Sequence, residues 1–276
     1  MDTPKISIIT VVRNDLSGFR KTAGSVLGQT DFGNTEWIVI DGASTDGTAA
    51  AVAELSPSMA YWISEPDDGV YFAMNKAIAK ARGEYLIFMN AGDTFYSPDS
   101  VARILSDEGF GEFDILAGDA LTVPAPESVK RAPERVTLPY LIESNLCHQS
   151  MTIRRRLFEG HLYDTDYRLT ADAKHLFEAV MKRGAIYRRL GFTVAVYDRG
   201  GLSSDHRKMT AEKEAWLSEQ LSPTVYDEIR RLMYGEGYLD QVICNVRRQR
   251  GLRRILGGFA WLLFAPQLIV RKWLNH

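Results

Sequence analysis

The chemistry available to this sequence rests on a few carboxylates and the segments that carry them. Asp93 closes the stretch Glu84-Tyr85-Leu86-Ile87-Phe88-Met89-Asn90-Ala91-Gly92-Asp93. Its apolar run, Tyr85 to Met89, reads as a strand buried on both faces. Ligands of open α/β sheets bind just past the carboxyl ends of such strands. A carboxylate at that tip suits a divalent cation and, through it, a diphosphate. Asp41 opens a second tip, Asp41-Gly42-Ala43-Ser44-Thr45-Asp46-Gly47-Thr48. It can hydrogen-bond a nucleobase or ribose while the small residues let a ligand approach the backbone. Equally, this is an ordinary strand-to-helix turn capped by Ser44 or Asp46. Asn75 and Arg82 are seven residues apart on one helix and share a face. Arg82 either pairs with a phosphate or orders the metal loop, or it simply complements the helix dipole. Asp172 lies in a helix first turn after Thr170, where it is a general base or a dipole-and-capping residue. Cys147-His148-Gln149 adds a polar pair before a strand, and a lone histidine is as readily structural.

These residues need a frame, and the chain supplies one. Ile6–Val12, Trp37–Ile40, Tyr61–Ile63 and Tyr85–Met89 are strand-like and apolar. Between them lie a helix with Phe19, Ala23, Val26 and Leu27 on one stripe, a helix with Val52 and Leu55, and a helix from about Val70 to Arg82 stopped by Gly83. This alternation predicts a parallel sheet with helices on both faces, all strand tips on one rim. Beyond Asp93 the spacing predicts a helix starting at Ser97-Pro98-Asp99, strands at Asp114–Ala117, Ser150–Ile153 and Phe192–Tyr197, and a helix over Ala171–Arg183. Val123–Pro139 reads as a loop, Arg199–Ser204 as a turn, and Lys208–Leu221 and Thr224 to about Gln249 as polar helices.

Composition narrows the function classes. With 45% hydrophobic and 25% charged residues the 276-residue chain is globular. From Arg247 to the end there are seven basic and no acidic residues, leaving 26 basic against 35 acidic elsewhere. A mildly acidic body with a basic tail argues against nucleic acid and for an anionic surface met by the tail. Ile255–Val270 is a 16-residue apolar stretch broken by Pro266-Gln267, short of the ~20 residues a spanning helix needs. It reads as a segment lying on a membrane surface. The alternative is a helix packed on the body or in the interface of a homo-oligomer. Cys147 and Cys244 make no disulfide framework, and no secretory leader pattern opens the chain, so the expected location is cytoplasmic, peripheral on the inner face of the membrane.

Taken together and in order, Ile6-Ser7-Ile8-Ile9-Thr10, Gln29-Thr30, Glu36 to Thr48, Asn75 to Tyr85 and Asn90-Ala91-Gly92-Asp93 closely resemble family 2 glycosyltransferases over roughly residues 5–97. A thinner resemblance continues through His148-Gln149, Ala171-Asp172 and Gly200-Gly201-Leu202-Ser203 and is similar to the bacterial surface-polysaccharide branch. The resemblance implies an α/β GT-A-type (Rossmann-like), mostly parallel sheet flanked by helices, with a helical C-terminal extension. It implies inverting transfer from a UDP- or GDP-linked nucleotide-sugar to a glycan or lipid-linked acceptor, with Mn²⁺ or Mg²⁺. By it, Thr10 and Asp41 face the nucleoside, Arg82 the phosphate side with Asn75 on the same helix face, Asp93 the metal, and Asp172 is the catalytic base. The chain departs from the family's Asp-X-Asp metal motif, keeping one carboxylate in Asn90-Ala91-Gly92-Asp93.

The expected domains are a glycosyltransferase domain over 1–205 (nucleotide-sugar half 1–97, acceptor half 98–205) and a helical extension over 206–276. One rival is a nucleotidyltransferase, but Thr10-Val11-Val12-Arg13-Asn14 lacks the glycine-rich phosphate loop that chemistry uses. Another is a non-catalytic sugar-nucleotide-binding subunit of an assembly complex, suggested by Asn90 and Gly92 where relatives carry acids.

Overall fold

The computed structural model describes residues 3–123, 128–198 and 206–234. Four strands form the nucleus: β1 (Ile6–Val12), β2 (Thr35–Asp41), β3 (Tyr61–Ser64) and β4 (Tyr85–Phe88). They pair in parallel in the order β3-β2-β1-β4. Every residue of β1 and β4 is buried, as apolar residues on both strand faces require. Helices α1 (Leu16–Leu27), α2 (Thr48–Leu55) and α3 (Val70–Ile78) make the crossovers. Phe19, Ala23 and Val26 of α1 are buried, and Phe19 stacks on Trp37 at 6.1 Å between ring centroids.

Past the fourth strand the sheet changes direction. The remaining elements are β5 (Thr94–Phe95), α4 (Ser100–Leu105), β6 (Ile115–Val123), β7 (Ser128–Lys130), α5 (Leu138–Glu143), β8 (Met151–Arg154), α6 (Ala171–Met181), β9 (Tyr187–Asp198), α7 (His206–Gln220) and α8 (Pro223–Tyr234). Among the described residues nine strands form one sheet, β3-β2-β1-β4-β8-β6-β9-β5, with β7 on β6. β8 runs antiparallel to β4 and β6, while β6 and β9 are parallel. The sheet is therefore parallel in its first half and mixed in its second.

Several boundaries differ from the sequence expectation. Helix α3 ends at Ile78, and a turn in which Ala81 N–H reaches back to Ala77 and Ile78 carries the chain to Gly83. Helix α4 begins at Ser100, so Pro98 precedes it instead of opening it. The expected loop over Val123–Pro139 contains β7 and the start of α5, the latter capped by Thr137 accepting from Tyr140 N–H. β9 is longer than the expected strand, beginning at Tyr187.

The chain divides into two compact units, Met1–Leu217 and Ser218–His276, so α7 up to Leu217 belongs with the first. Within the second, α8 carries an Arg231–Glu228 pair at 3.2 Å. The Gly200-Gly201 turn and the apolar tail lie outside the described residues. Among those described, no helix is long and apolar enough to cross a membrane.

Candidate active site

The carboxyl ends of β1, β2 and β4 meet on one rim. Asn90-Ala91-Gly92-Asp93 forms a tight turn after β4, closed by Asp93 N–H on Asn90 O at 3.0 Å. Gly92, third in the turn, has φ of 92°, a left-handed conformation that glycine adopts most readily. Helix α1 buttresses the turn. Thr22 donates to the carbonyls of Asn90 and Asp93, and Lys21 Nζ to that of Gly92. Asp93 is 6% exposed, and its Oδ2 accepts from Gln149 Nε2 at 3.0 Å.

Asp172 sits in a second cluster of side chains. Tyr71 Oη, from the first turn of α3, donates to Oδ1 at 2.8 Å. Asn145 Nδ2 donates to Oδ2 at 3.2 Å, and His148 Nδ1 lies 3.5 Å from the same oxygen. Burial pushes the Asp172 carboxyl up, but the His148 ring, the Tyr71 hydroxyl and the Ala173 N–H together hold it below the ordinary carboxylate range. It is ionised at neutral pH, as a proton acceptor must be. Burial, then the Asp172 charge, hold Tyr71 well above its ordinary value, so it remains a donor. The Asp172 side chain is 11% exposed.

One short turn, His148–Ser150, joins the two clusters. Its Gln149 holds Asp93, and its His148 reaches Asp172 through Nδ1 and Asn90 Nδ2 through Nε2 at 3.3 Å. A single imidazole thus spans the gap between the strand tip and the carboxylate of α6. With Asn90 Nδ2 so engaged, its Oδ1 is buried with no hydrogen-bond partner among the described residues. Such an oxygen is costly unless a ligand or cation meets it. An amide oxygen beside a carboxylate is the donor set of a hard cation such as Mg²⁺ or Mn²⁺. Among the described residues no group of three or more His, Cys, Asp or Glu could cage a metal. A cation at this turn would have Asn90 Oδ1 and the Asp93 carboxylate as its protein donors.

The structure sorts the remaining sequence candidates. Asp41 is buried at the β2 tip, taking Ser44 N–H at 3.0 Å and the hydroxyls of Ser44 and Ser64 at 2.5 Å. Its loop is locked to the β1 tip, with Asn14 Oδ1 accepting Thr45 N–H and Asp46 accepting Leu16 N–H. The open space expected at Gly42 is filled by the protein itself. A Cβ there would meet Asp67 Oδ2 at 2.7 Å and Arg13 Cβ at 3.3 Å. Thr10 is fully buried, its hydroxyl donating to Met89 O at 2.8 Å and accepting from Trp37 Nε1 at 3.0 Å. It is a strut beneath the tips, and its hydroxyl faces these two groups. The Asn75 amide is taken by the Tyr163 backbone, donating to its carbonyl at 2.8 Å and accepting from its N–H at 3.0 Å. It pins the Tyr163 segment, whose ring lies 5.3 Å from Tyr71.

Arg82 is not brought to the site. A crossover helix runs antiparallel to its strands, so the turn after α3 delivers residue 82 to the rim where β1 and β4 begin, next to the Ile6–Tyr85 register pair. There its Nε pairs with Glu36 Oε2 at 3.0 Å, and Glu36 also takes the Ser7 hydroxyl and Gly83 N–H. Burial pushes the Glu36 carboxyl up, and the Ser7, Arg82 and Gly83 donors bring it below its usual range. Tyr71 and Asn145, which the sequence reading missed, hold the Asp172 carboxylate. A tyrosine in an apolar helical stripe reads as core, and an asparagine in an irregular segment carries no periodic signal.

Comparisons with known proteins identify the family and the fold. An uncharacterized glycosyltransferase of Mycobacterium tuberculosis is 32% identical over 216 residues, covering 75% of this chain and 80% of the relative. A PGL/p-HBAD biosynthesis glycosyltransferase of Mycobacterium bovis is 31% identical over 211 residues, covering 74% and 81%. A putative teichuronic acid biosynthesis glycosyltransferase of Bacillus subtilis is 24% identical, covering 84% and 90%. Among solved structures, S. aureus TarS 1–349 superposes with a TM-score of 0.57 at 18% identity, covering 70% of this chain and 60% of that one. A mannosyltransferase of Pyrobaculum calidifontis in complex with GDP-Man and Mn²⁺ gives 0.52 at 21%, covering 71% and 57%. These two share the GT-A fold. The sequence signature of Glycosyl transferase family 2 matches residues 7–171, from the second residue of β1 into the helix that carries Asp172, and the chain belongs to that family.

Proposed function

We propose that this chain is an inverting glycosyltransferase that moves a sugar from a UDP- or GDP-linked donor to a glycan or lipid-linked acceptor in bacterial surface-polysaccharide assembly. The observation that carries the reading is the Asn90–His148–Asp172 connection, which puts an ionised carboxylate within one imidazole of the strand tip. Asp172 takes the proton of an acceptor hydroxyl, and that oxygen attacks the anomeric carbon from the side opposite the nucleotide, inverting it. Tyr71 and Asn145 hold the carboxylate in place while it does so. When bound, a divalent cation would be held by Asp93 and Asn90 Oδ1 and would neutralise charge on the departing diphosphate. Asp41 stands at the rim on which a nucleoside would sit, and the fold shared with proteins solved with UDP or with GDP-Man and Mn²⁺ supports that placement. The names of the mycobacterial and Bacillus relatives support the surface-glycan assignment. The basic, apolar tail would meet the membrane face where a lipid-linked acceptor lies.

The test is a thermal-shift screen of UDP, GDP and their sugar conjugates with and without Mn²⁺, followed by nucleotide release with extracted membrane glycolipids as acceptor. At 100 times its Kd a ligand adds about 2.7 kcal/mol of stability. For a domain of this size that moves Tm by about 5–10 °C. No metal-dependent shift with any donor would overturn the reading. Donor binding without nucleotide release would favour a non-catalytic binding subunit.

A further inference from the structure

Helix α7 lies beyond the residues matched by the family signature, which end at 171, yet its residues up to Leu217 belong to the same compact unit as the site. Its contacts converge on the two segments that flank Asp172. Glu212 accepts three successive backbone N–H groups, from Arg168, Leu169 and Thr170 at 3.0, 2.8 and 2.7 Å. It also accepts the Thr170 hydroxyl at 2.8 Å. Thr170 is the N-cap of α6, but its side chain makes no capping bond to that helix. Trp216, one turn after Glu212, is fully buried, donates from Nε1 to Thr170 Oγ1 at 3.2 Å, and packs edge-on against Phe177 of α6. Lys213 donates to Ser144 O at 2.7 Å, and the next residue, Asn145, holds Asp172 Oδ2.

We propose that Glu212 is a positioning residue for Asp172, fixing through the 168–170 backbone the place and direction of the carboxylate at the start of α6. This rests on Asp172 being the base. The geometry is specific. A helix start leaves its N–H groups without intrahelical partners, and here one remote carboxylate gathers the donors just ahead of it. The adjacent Lys213 restrains the opposite wall, so one turn of α7 sets the carboxylate between Tyr71 and Asn145. Glu212 touches no reacting atom, and its effect belongs in turnover and not in donor affinity.

The experiment compares Glu212→Ala, Glu212→Gln and Asp172→Asn in the full chain. Turnover is read as nucleotide release from UDP- and GDP-sugars with Mn²⁺ and membrane glycolipid, and amide hydrogen exchange is read over residues 168–175. Glutamine keeps one oxygen in place of Oε1, which takes three of the four bonds, so it should retain most of the rate. Alanine should lower kcat by about 10–100-fold, the usual loss on misplacing a catalytic group by an ångström, with donor KM within about twofold. It should also speed exchange of the Arg168, Leu169 and Thr170 amides selectively. A Glu212→Ala enzyme with wild-type kcat overturns the proposal. So does an equal loss in both Glu212 variants with faster exchange throughout the chain, which marks a general folding role. Wild-type turnover in Asp172→Asn would instead show that the base assignment has failed, and the proposal falls with it.

Discussion

Replacing Thr10 by valine separates a buried strut from a nucleoside contact, because valine keeps the shape and removes only the hydroxyl. In the structure that hydroxyl satisfies two buried groups, the Trp37 indole N–H and the Met89 carbonyl. Trp37 is fully buried, so water cannot replace the lost acceptor without rearrangement. An orphaned buried donor or acceptor costs about 1–3 kcal/mol. Two of them, eased by local relaxation, should cost about 2–4 kcal/mol jointly. At roughly 2–4 °C per kcal/mol for a domain of this size, Tm should drop by about 5–15 °C. Below the transition the affinity for UDP or GDP with Mn²⁺ should stay within about twofold, since the hydroxyl is committed to Met89 and Trp37. Scanning calorimetry and isothermal titration on the same variant give both numbers. An unchanged Tm with a tenfold or greater loss of nucleotide affinity would refute the strut and restore Thr10 to the nucleoside.

Arg82→Ala should leave nucleotide affinity and turnover unchanged, since Arg82 sits on the far rim. Its 65% exposed side chain should cost at most about 1 kcal/mol, read by urea denaturation. The folded-state pKa of Asp172 and of Glu36 is lowered, so their contribution is present above the unfolded value near 3.8–4.5 and is lost as pH falls through the lower folded value. Asp172 should therefore put no acid limb on the turnover profile between pH 5 and 8, and a limb near 6.5 that vanishes in Asp172→Asn would contradict this. His175 acts in the same direction at a higher pH, because its folded-state pKa is also lowered. Burial, then Arg183, push it down to about 3, while it stacks on Phe158 at 4.3 Å. The unfolded chain takes up the proton first, so stability should fall by up to about 1.4 kcal/mol per unit as pH drops below about 6.5. His175→Phe should flatten that slope, and an unchanged slope would show that the imidazole is not buried as described.

The parallel half of the sheet was legible because its strands are apolar on both faces and its helices carry one apolar stripe each. β1 and the stripe of α1 fall where the periodicity puts them. β5 and β7 were not legible, since strands of two and three residues have no period to read. Asp93 and Asp172 could be singled out by their places, at a strand tip and at a helix start. What lies around them could not, because the His148–Asp172 and Gln149–Asp93 contacts join segments far apart in sequence. Arg82 illustrates the converse failure. Sharing a helix face with Asn75 said nothing about which rim the end of that face would reach. Glu212 sits in a polar helix and reads as a solvated charge, and only the folded chain shows it gathering the backbone ahead of α6.

The most direct test of the central claim is the turnover of Asp172→Asn beside its nucleotide affinity and its melting temperature. The amide keeps an oxygen for the Tyr71 hydroxyl and removes the proton acceptor. General-base catalysis is worth about 10²–10⁴-fold, so nucleotide release in the presence of acceptor should fall by that factor. Binding of UDP or GDP with Mn²⁺ should stay within about twofold, because Asp172 is separated from the Asn90–Asp93 turn by His148. Near-normal turnover, with a change confined to melting temperature, would make Asp172 a helix-terminal structural residue and contradict the account.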